Sequence, residues 1–333
     1  MTDILRIEDL HVAYHERERT VQAVDGVDLA LSPGRTLALV GESGCGKTTL
    51  AVSILNLVPH PGRIDSGRIF YDGEDLLTLK GESIRRLRGR QISMIFQDPL
   101  SGLNPVLTIG QQVEEIVRTH LDVPKRDSRR MTLESLAAQG LPEPQQVFDS
   151  FPFQLSGGMC QRVMIAIATI LRPRVIIADE PTSSLDVTVQ ASILHELDGL
   201  RSGLGAAILL ITHDLGVVAR MADHVAVMYA GRIIESGLAA EIFEQPRHPY
   251  TAALLAALPR HDDPGKSELR SIKGAPPDLA DLSGHCAFLP RCTKAITTCR
   301  TDPWPPLDGA RDGHRVACYN PVYQPERAPA ERA

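Results

Sequence analysis

The chain has 333 residues, 43% of them hydrophobic, with 35 Lys+Arg against 41 Asp+Glu and a formal net charge of -6. That is enough for one large domain with an appendage or two ordinary ones, and the near-balanced charge supplies no basic field to hold a nucleic-acid backbone, so nucleic acid is excluded as the main partner. No apolar run approaches the ~18 residues of a spanning helix, and MTDILRIEDL carries acids where a secretory signal has a basic and then an apolar stretch, so a cytoplasmic location is expected.

Up to about residue 240, β-rich apolar runs (TLALV, VIIAD, AAILLIT, HVAVMYA) alternate with longer helical patterns, which predicts a parallel sheet covered by helices. The first run opens RTLALVGESGCGKTTLAVSILNLV, which reads strand, loop, helix. Its loop matches G-x-x-x-x-G-K-[ST] at Gly41, Gly46, Lys47 and Thr48, in the context that gives the motif meaning. Glycines let backbone N–H groups converge on phosphate oxygens, and the helix start adds unpaired donors and partial positive charge. The nucleotide-binding candidates are therefore Gly41, Ser43, Gly44, Cys45, Gly46, Lys47, Thr48 and Thr49. Lys47 is expected to neutralise the β- and γ-phosphates and Thr48 to offer its hydroxyl to Mg²⁺. The fold class expected is α/β, a P-loop NTPase.

Between Gln97 and Pro173 the strand-like runs vanish, and IGQQVEEIVRTH and ESLAAQG read as helices, predicting a helical insertion over about 98–172. RVIIADE then ends in two acids, placing Asp179 and Glu180 at the C-terminal edge of a buried strand, the ligand edge of an open α/β sheet. Asp179 suits Mg²⁺ held through water and Glu180 suits a general base for the attacking water, although the pair alone equally fits a strand ending in acids before a turn. AAILLITHD brings His213 to a similar edge, where a solvent or core histidine is the plain alternative. From Pro259 onward, 11 of the 24 prolines fall in the last 75 residues, so little regular structure is expected, and QPERAPAERA reads as a disordered tail.

FQLSGGMCQR changes the weight of these features. Leu155-Ser156-Gly157-Gly158 with Gln161 resembles the signature of ABC ATPases, a sequence other P-loop ATPases lack. Under that resemblance Gln97 corresponds to the Q-loop glutamine, which implies a nucleotide contact and a Mg²⁺ ligand beside Thr48 and Asp179. Ser184-Leu185-Asp186 corresponds to the D-loop, His213 to the switch histidine, and Tyr14 to the aromatic that stacks on adenine, though a lone Tyr after a strand also fits ordinary packing. Cys160 departs from the signature, where many relatives carry a polar or basic residue. The resemblance implies two ATPase subunits clamping ATP between the Lys47 loop of one and the Ser156 turn of the other.

FQDPLSGLNPVLTIGQQV, HPYTAALLAALP and GAPPDL…CAFLPRC narrow the resemblance to ATPases of dipeptide, oligopeptide and nickel importers. This implies a catalytic set of Lys47, Gln97, Glu180 and His213 and a domain plan of 1–240 for the ATPase and 241–333 for a small irregular C-terminal domain. Residues 100–112 become the candidate surface for transmission to the membrane subunits. The implied partners are a second ATPase of different sequence, two membrane permeases and an extracytoplasmic substrate-binding protein, with the chain peripheral on the cytoplasmic face. A soluble ABC ATPase acting on DNA or ribosomes would need a basic field, a long coiled coil or a second cassette. An iron–sulfur sensor on a nucleotide fold would need a defective catalytic set. Nickel import stays open, because the coupling machinery does not see the cargo.

Six cysteines complete the reading. Cys286, Cys292, Cys299 and Cys318 crowd into a Pro-rich stretch too poor in periodicity to build its own core, so a metal staple is expected. The spacing leaves zinc, an iron–sulfur cluster or unligated thiols open, since it lacks the paired C-x-x-C of zinc ribbons, and the resemblance implies [4Fe–4S]. Cys45, inside the phosphate loop, reads first as a plain small residue, with a thiol pKa lowered by the neighbouring backbone donors as the alternative.

Overall fold

The computed structural model describes residues 3–182, 187–257, 272–309 and 313–322. Two sheets form among them. One is antiparallel with strand order β2-β1-β4-β5, built from β1 (Leu5–His15), β2 (Thr20–Leu31), β4 (Gly62–Tyr71) and β5 (Glu74–Asp75). The other has the order β11-β12-β10-β9-β3-β8-β7-β6, from β3 (Thr36–Val40), β6 (Ile92–Ile95), β7 (Val175–Asp179), β8 (Ala207–Ile211), β9 (His224–Tyr229), β10 (Arg232–Leu238), β11 (Asp308–Gly309) and β12 (Arg315–Val316).

The parallel centre runs β9-β3-β8-β7-β6. Every residue of β3, β6, β7 and β8 is buried, which is why these strands read as unbroken apolar runs rather than alternating ones. The antiparallel sheet was not expected. Its strand β1 carries buried and more exposed positions in uneven alternation, the mark of a sheet with one face covered, and a register shift between Ile7 and Leu10 blurs the period.

Helix Lys47–Ile54 fills the space between the two sheets, where Leu50, Ala51 and Ile54 join Leu39, Ile177, Leu209 and Ile69 in one apolar core. No strand lies between β6 and β7, and the insertion is helical, with main helices Ile109–His120, Lys125–Ala138 and Gly157–Thr169. Thr108 starts the first of these through a capping box, its Oγ1 accepting from Gln111 N while Gln111 Oε1 accepts from Thr108 N. This subdomain packs on the face of β6, β7 and β8 through a second core that includes Val113, Phe148, Cys160 and Ile165.

The C-terminal stretch has short 3-10 and helical turns and two two-residue strands, with β12 pairing antiparallel to β10. Phe288 and Trp304 dock with Tyr229 and Tyr250 in a third core, where the Tyr229 and Tyr250 ring centroids stand 4.7 Å apart. The expected disordered tail lies outside the described residues.

Candidate active site

The phosphate loop spans the gap between β3 and helix Lys47–Ile54, and two glycines fix its path. Gly46 sits at φ 108°, where an added Cβ would come within 2.0 Å of Ala23 O, and a Cβ on Gly41 would come within 2.2 Å of Met228 O. The loop is thus pressed against β2 and β9, a course open only without side chains at these points. Lys47 is buried and folds back over the loop, donating from Nζ to Gly41 O at 2.7 Å and Glu42 O at 2.9 Å. Ser43, Gly44 and Thr48 are exposed along its outer side.

Beside the loop lie the ends of β7 and β8. Asp179 is 1% exposed, and its Oδ1 is buried with no hydrogen-bond partner among the described residues. Burial, helped by the neighbouring Glu180 charge, raises its pKa against the opposing pull of Thr48 and Lys47. A buried carboxylate oxygen left open beside the Thr48 hydroxyl is a donor set suited to Mg²⁺.

Glu180 follows at φ 47°, a left-handed conformation that costs a non-glycine residue energy and is found most at functional sites. That turn aims its carboxylate between two groups. Gln97 Nε2 donates to Oε2 at 3.0 Å, and His213 Nδ1 lies 3.1 Å from Oε1. Next to His213, Asp214 caps helix Leu215–Met221 by accepting from Gly216 N and Val217 N. The ends of β6, β7 and β8 thereby bring Gln97, Asp179, Glu180 and His213 together beside Lys47 and Thr48.

Other expected site residues lie elsewhere. Tyr14, on β1, has its hydroxyl 3.3 Å from Thr49 Oγ1, and its ring packs on Gly62, where a Cβ would approach to 2.7 Å. Ser156 caps helix Gly157–Thr169, its Oγ accepting from Met159 N at 3.3 Å. Ser156 and Gly157 are exposed, and a Cβ on Gly157 would meet nothing within 4 Å. Gly158 is half-buried in the first turn. Gln161 is buried and donates to Pro181 O at 2.8 Å, tying the signature helix to the residue after Glu180. Cys160 points into the subdomain core, with Sγ 3.5 Å from Pro152 O. Asp186 lies outside the described residues.

Two expectations are corrected. The thiol of Cys45 is buried, and burial pushes its pKa up, outweighing the nearby Lys47 charge and backbone donors that act the other way. The four C-terminal cysteines, Cys286, Cys292, Cys299 and Cys318, do line one pocket. Among the described residues, however, no group of three or more His, Cys, Asp or Glu side chains is arranged to hold a metal ion. Burial also holds Cys286, Cys292 and Cys318 above the ordinary thiol range, Cys318 at about 11. On that arrangement the iron–sulfur and metal-binding reading of this cluster is withdrawn, and the four thiols share a pocket without forming a metal site among the described residues.

Sequence reasoning missed Glu42, Tyr250 and Arg291. Glu42 N donates to Tyr250 Oη at 2.9 Å, and Arg291 forms a two-bond salt bridge with the Glu42 carboxylate. The HPY triplet was visible as a family feature, but nothing local links it to a loop some two hundred residues earlier.

Comparison with known proteins follows the same division. Residues 24–183 match the family model described as ABC transporter, and residues 234–299 match the one described as oligopeptide/dipeptide transporter, C-terminal region. The chain is 44% identical to the dipeptide transport ATP-binding protein DppD of Bacillus subtilis, over 96% of this chain and 95% of that protein. It is 43% identical to the oligopeptide transport ATP-binding protein OppD of the same organism, over 96% and 89%. Among solved structures, the dimeric ATP-binding cassette MJ0796 bound to ADP and Pi superposes with a TM-score of 0.63 at 26% identity, covering 71% of this chain and 98% of that one.

Proposed function

Because the chain belongs to the ABC transporter ATP-binding proteins, in the branch of the dipeptide and oligopeptide transport proteins, we propose that it hydrolyses ATP to drive peptide uptake by a membrane importer. The observation that carries this reading is Glu180, held between Gln97 and His213 beside the Lys47 loop.

Each residue then has a task. Lys47 exchanges its two loop carbonyls for β- and γ-phosphate oxygens when ATP enters. Thr48 and Asp179 are the residues that would hold Mg²⁺, which supplies charge neutralisation for the phosphates. Glu180 accepts a proton from the attacking water as that water's oxygen bonds to the γ-phosphorus. The bond to the β–γ bridging oxygen breaks, leaving ADP and inorganic phosphate. Gln97 and His213 orient the carboxylate, and His213, with its side chain 67% exposed, is placed to reach a γ-phosphate from the open side.

The exposed Ser156 and Gly157 support pairing with a second ATPase, because a helix start facing solvent offers its donors to another chain's nucleotide. By family analogy the partner is a different chain. Residues 1–240 serve as the ATPase domain, with 98–172 as its helical subdomain, and 241–333 as the region distinctive of the peptide branch. No helix among the described residues is long and apolar enough to cross a membrane. By the same family analogy the chain docks on two permease subunits from the cytoplasmic face, with an extracytoplasmic binding protein delivering cargo. Phe96, Leu100, Val106 and Phe153 are large apolar side chains left exposed near the Gln97 loop and the signature, and they support docking there. Within the segment 100–112, Gln112 is buried and braces the loop, its Oε1 accepting from Asn104 N and its Nε2 donating to Asn104 O and Leu107 O. The names of the matched relatives favour peptide over nickel as cargo.

The test is ATPase assay of the membrane complex with and without peptides. Glu180→Gln should lower kcat by roughly 10²–10⁴ while ATP still binds, and peptide should stimulate the wild type. A partnerless chain with full activity, indifferent to membrane subunits, would sink the import reading.

A further inference from the structure

We infer that Arg291 and Tyr250 are positioning residues for ATP binding, which grip Glu42 of the phosphate loop and make the C-terminal region a structural part of the nucleotide site. The inference rests on the reading of that loop as the ATP cradle.

Glu42 is fastened at three points. Its backbone N–H donates to Tyr250 Oη at 2.9 Å. Its carboxylate takes two parallel bonds from Arg291, NH1 to Oε2 at 2.6 Å and NH2 to Oε1 at 2.9 Å. Its carbonyl accepts from Lys47 Nζ at 2.9 Å. The first two anchors are supplied from 208 and 249 residues away in the chain.

Both anchors are themselves rigid. The Arg291 side chain is 5% exposed, and its other bonds run to Tyr229 Oη at 3.2 Å, Lys273 O at 3.1 Å and Ile272 O at 3.5 Å. A guanidinium fork bound at this many points has one orientation. It stands on the 3-10 turn Leu289–Arg291, opened by the bond from Leu289 N to Cys286 O. Tyr250 is fully buried, its ring packed against Tyr229 and Phe288, on a helix that Pro249 begins and His248 caps.

Two consequences follow for an incoming triphosphate. The loop is held before ATP arrives, so less ordering entropy is lost on binding. In addition, the Glu42 carboxylate beside an anion site is neutralised in place, whereas a free carboxylate there would repel phosphate. The thiol-lined pocket is thereby joined to the ATP site by one short turn of chain, residues 286 to 292.

The experiment measures ATP affinity, KM and kcat on the full chain in its membrane complex, for wild type, Arg291→Gln, Glu42→Gln, the double variant, Arg291→Lys and Tyr250→Phe. Lys47→Ala is the control for the underlying reading. Arg291→Gln should raise the ATP Kd and KM roughly tenfold, as a partly buried carboxylate loses its partner, with kcat within about twofold because Glu180, Gln97 and His213 are untouched. The double variant should bind better than Arg291→Gln alone, since the unpaired charge is gone. Arg291→Lys, unable to bridge both oxygens, and Tyr250→Phe should each weaken ATP several-fold while still unfolding cooperatively above the assay temperature, and they decide the matter if Arg291→Gln does not fold. If Lys47→Ala loses ATP while Arg291→Lys and Tyr250→Phe bind it like wild type, the inference is overturned and the ATP reading stands. If Lys47→Ala binds ATP normally, the reading itself fails.

Discussion

His248 offers a pH prediction whose size follows from its surroundings. The imidazole is 1% exposed. Its Nδ1 accepts from Tyr250 N at 3.0 Å, so the ring is held neutral as a helix cap. Burial lowers its pKa from 6.5 to about 4, against a smaller opposing pull from Glu235. The unfolded chain takes up the proton near 6.5 and the folded chain resists it, so the stability this site contributes is complete above pH 6.5 and is lost as pH falls towards 4. The loss is about 2 kcal/mol by pH 5 and about 3 kcal/mol by pH 4. His248→Asn keeps a capping acceptor but removes the titration. Denaturant unfolding followed from pH 7 to pH 5 should therefore show the gap between wild type and variant closing by about 2 kcal/mol. A constant gap across that range would refute the assignment of a neutral, proton-resisting histidine.

Three further outcomes are expected. Gly46→Ala puts a Cβ where Ala23 O stands at 2.0 Å; the loop must shift, and ATP affinity should fall at least roughly a hundredfold in a titration with a fluorescent nucleotide, since misplacement near 1 Å has costs of that order. Val106→Asp, at a position 76% exposed, should change stability by no more than about 0.5 kcal/mol yet abolish co-purification with the membrane subunits; an intact complex would remove this loop from the docking surface. Cys45, buried and with its pKa raised, should react with iodoacetamide at pH 7 at least roughly tenfold more slowly than an exposed thiol, and rapid labelling seen by mass spectrometry would contradict the burial.

The features legible in the sequence are those written locally. The phosphate loop, the buried strands ending at Val40, Asp179 and Ile211, and the helix Ile109–His120 each declare themselves within a few residues. A contiguous motif fixes both which residues meet and how. Features set by distant parts of the chain were hidden. The antiparallel sheet carries a broken period because β1 shifts register, and the pKa of Cys45 follows from burial rather than from the donors beside it. The cysteine spacing suggested a metal staple, whereas the four thiols line one pocket and no group among the described residues is arranged to hold a metal ion.

The same division separates chemistry from its support. Lys47 and Thr48 stand in the phosphate-loop motif, and Asp179, Glu180 and His213, to which the proposed function gives the metal and the attacking water, stand at strand ends read from short local patterns. Glu42 fills a variable place in the loop pattern, and its partners Tyr250 and Arg291 belong to a region that the general ATPase family model, matching residues 24–183, does not cover. A loop held by parts of the chain outside that model is open to adjustment without any change to the residues proposed for catalysis. In the proposed reading, the C-terminal region of this chain therefore has a physical route to the rate of ATP use that runs through loop position and nucleotide affinity and leaves Glu180 where it is.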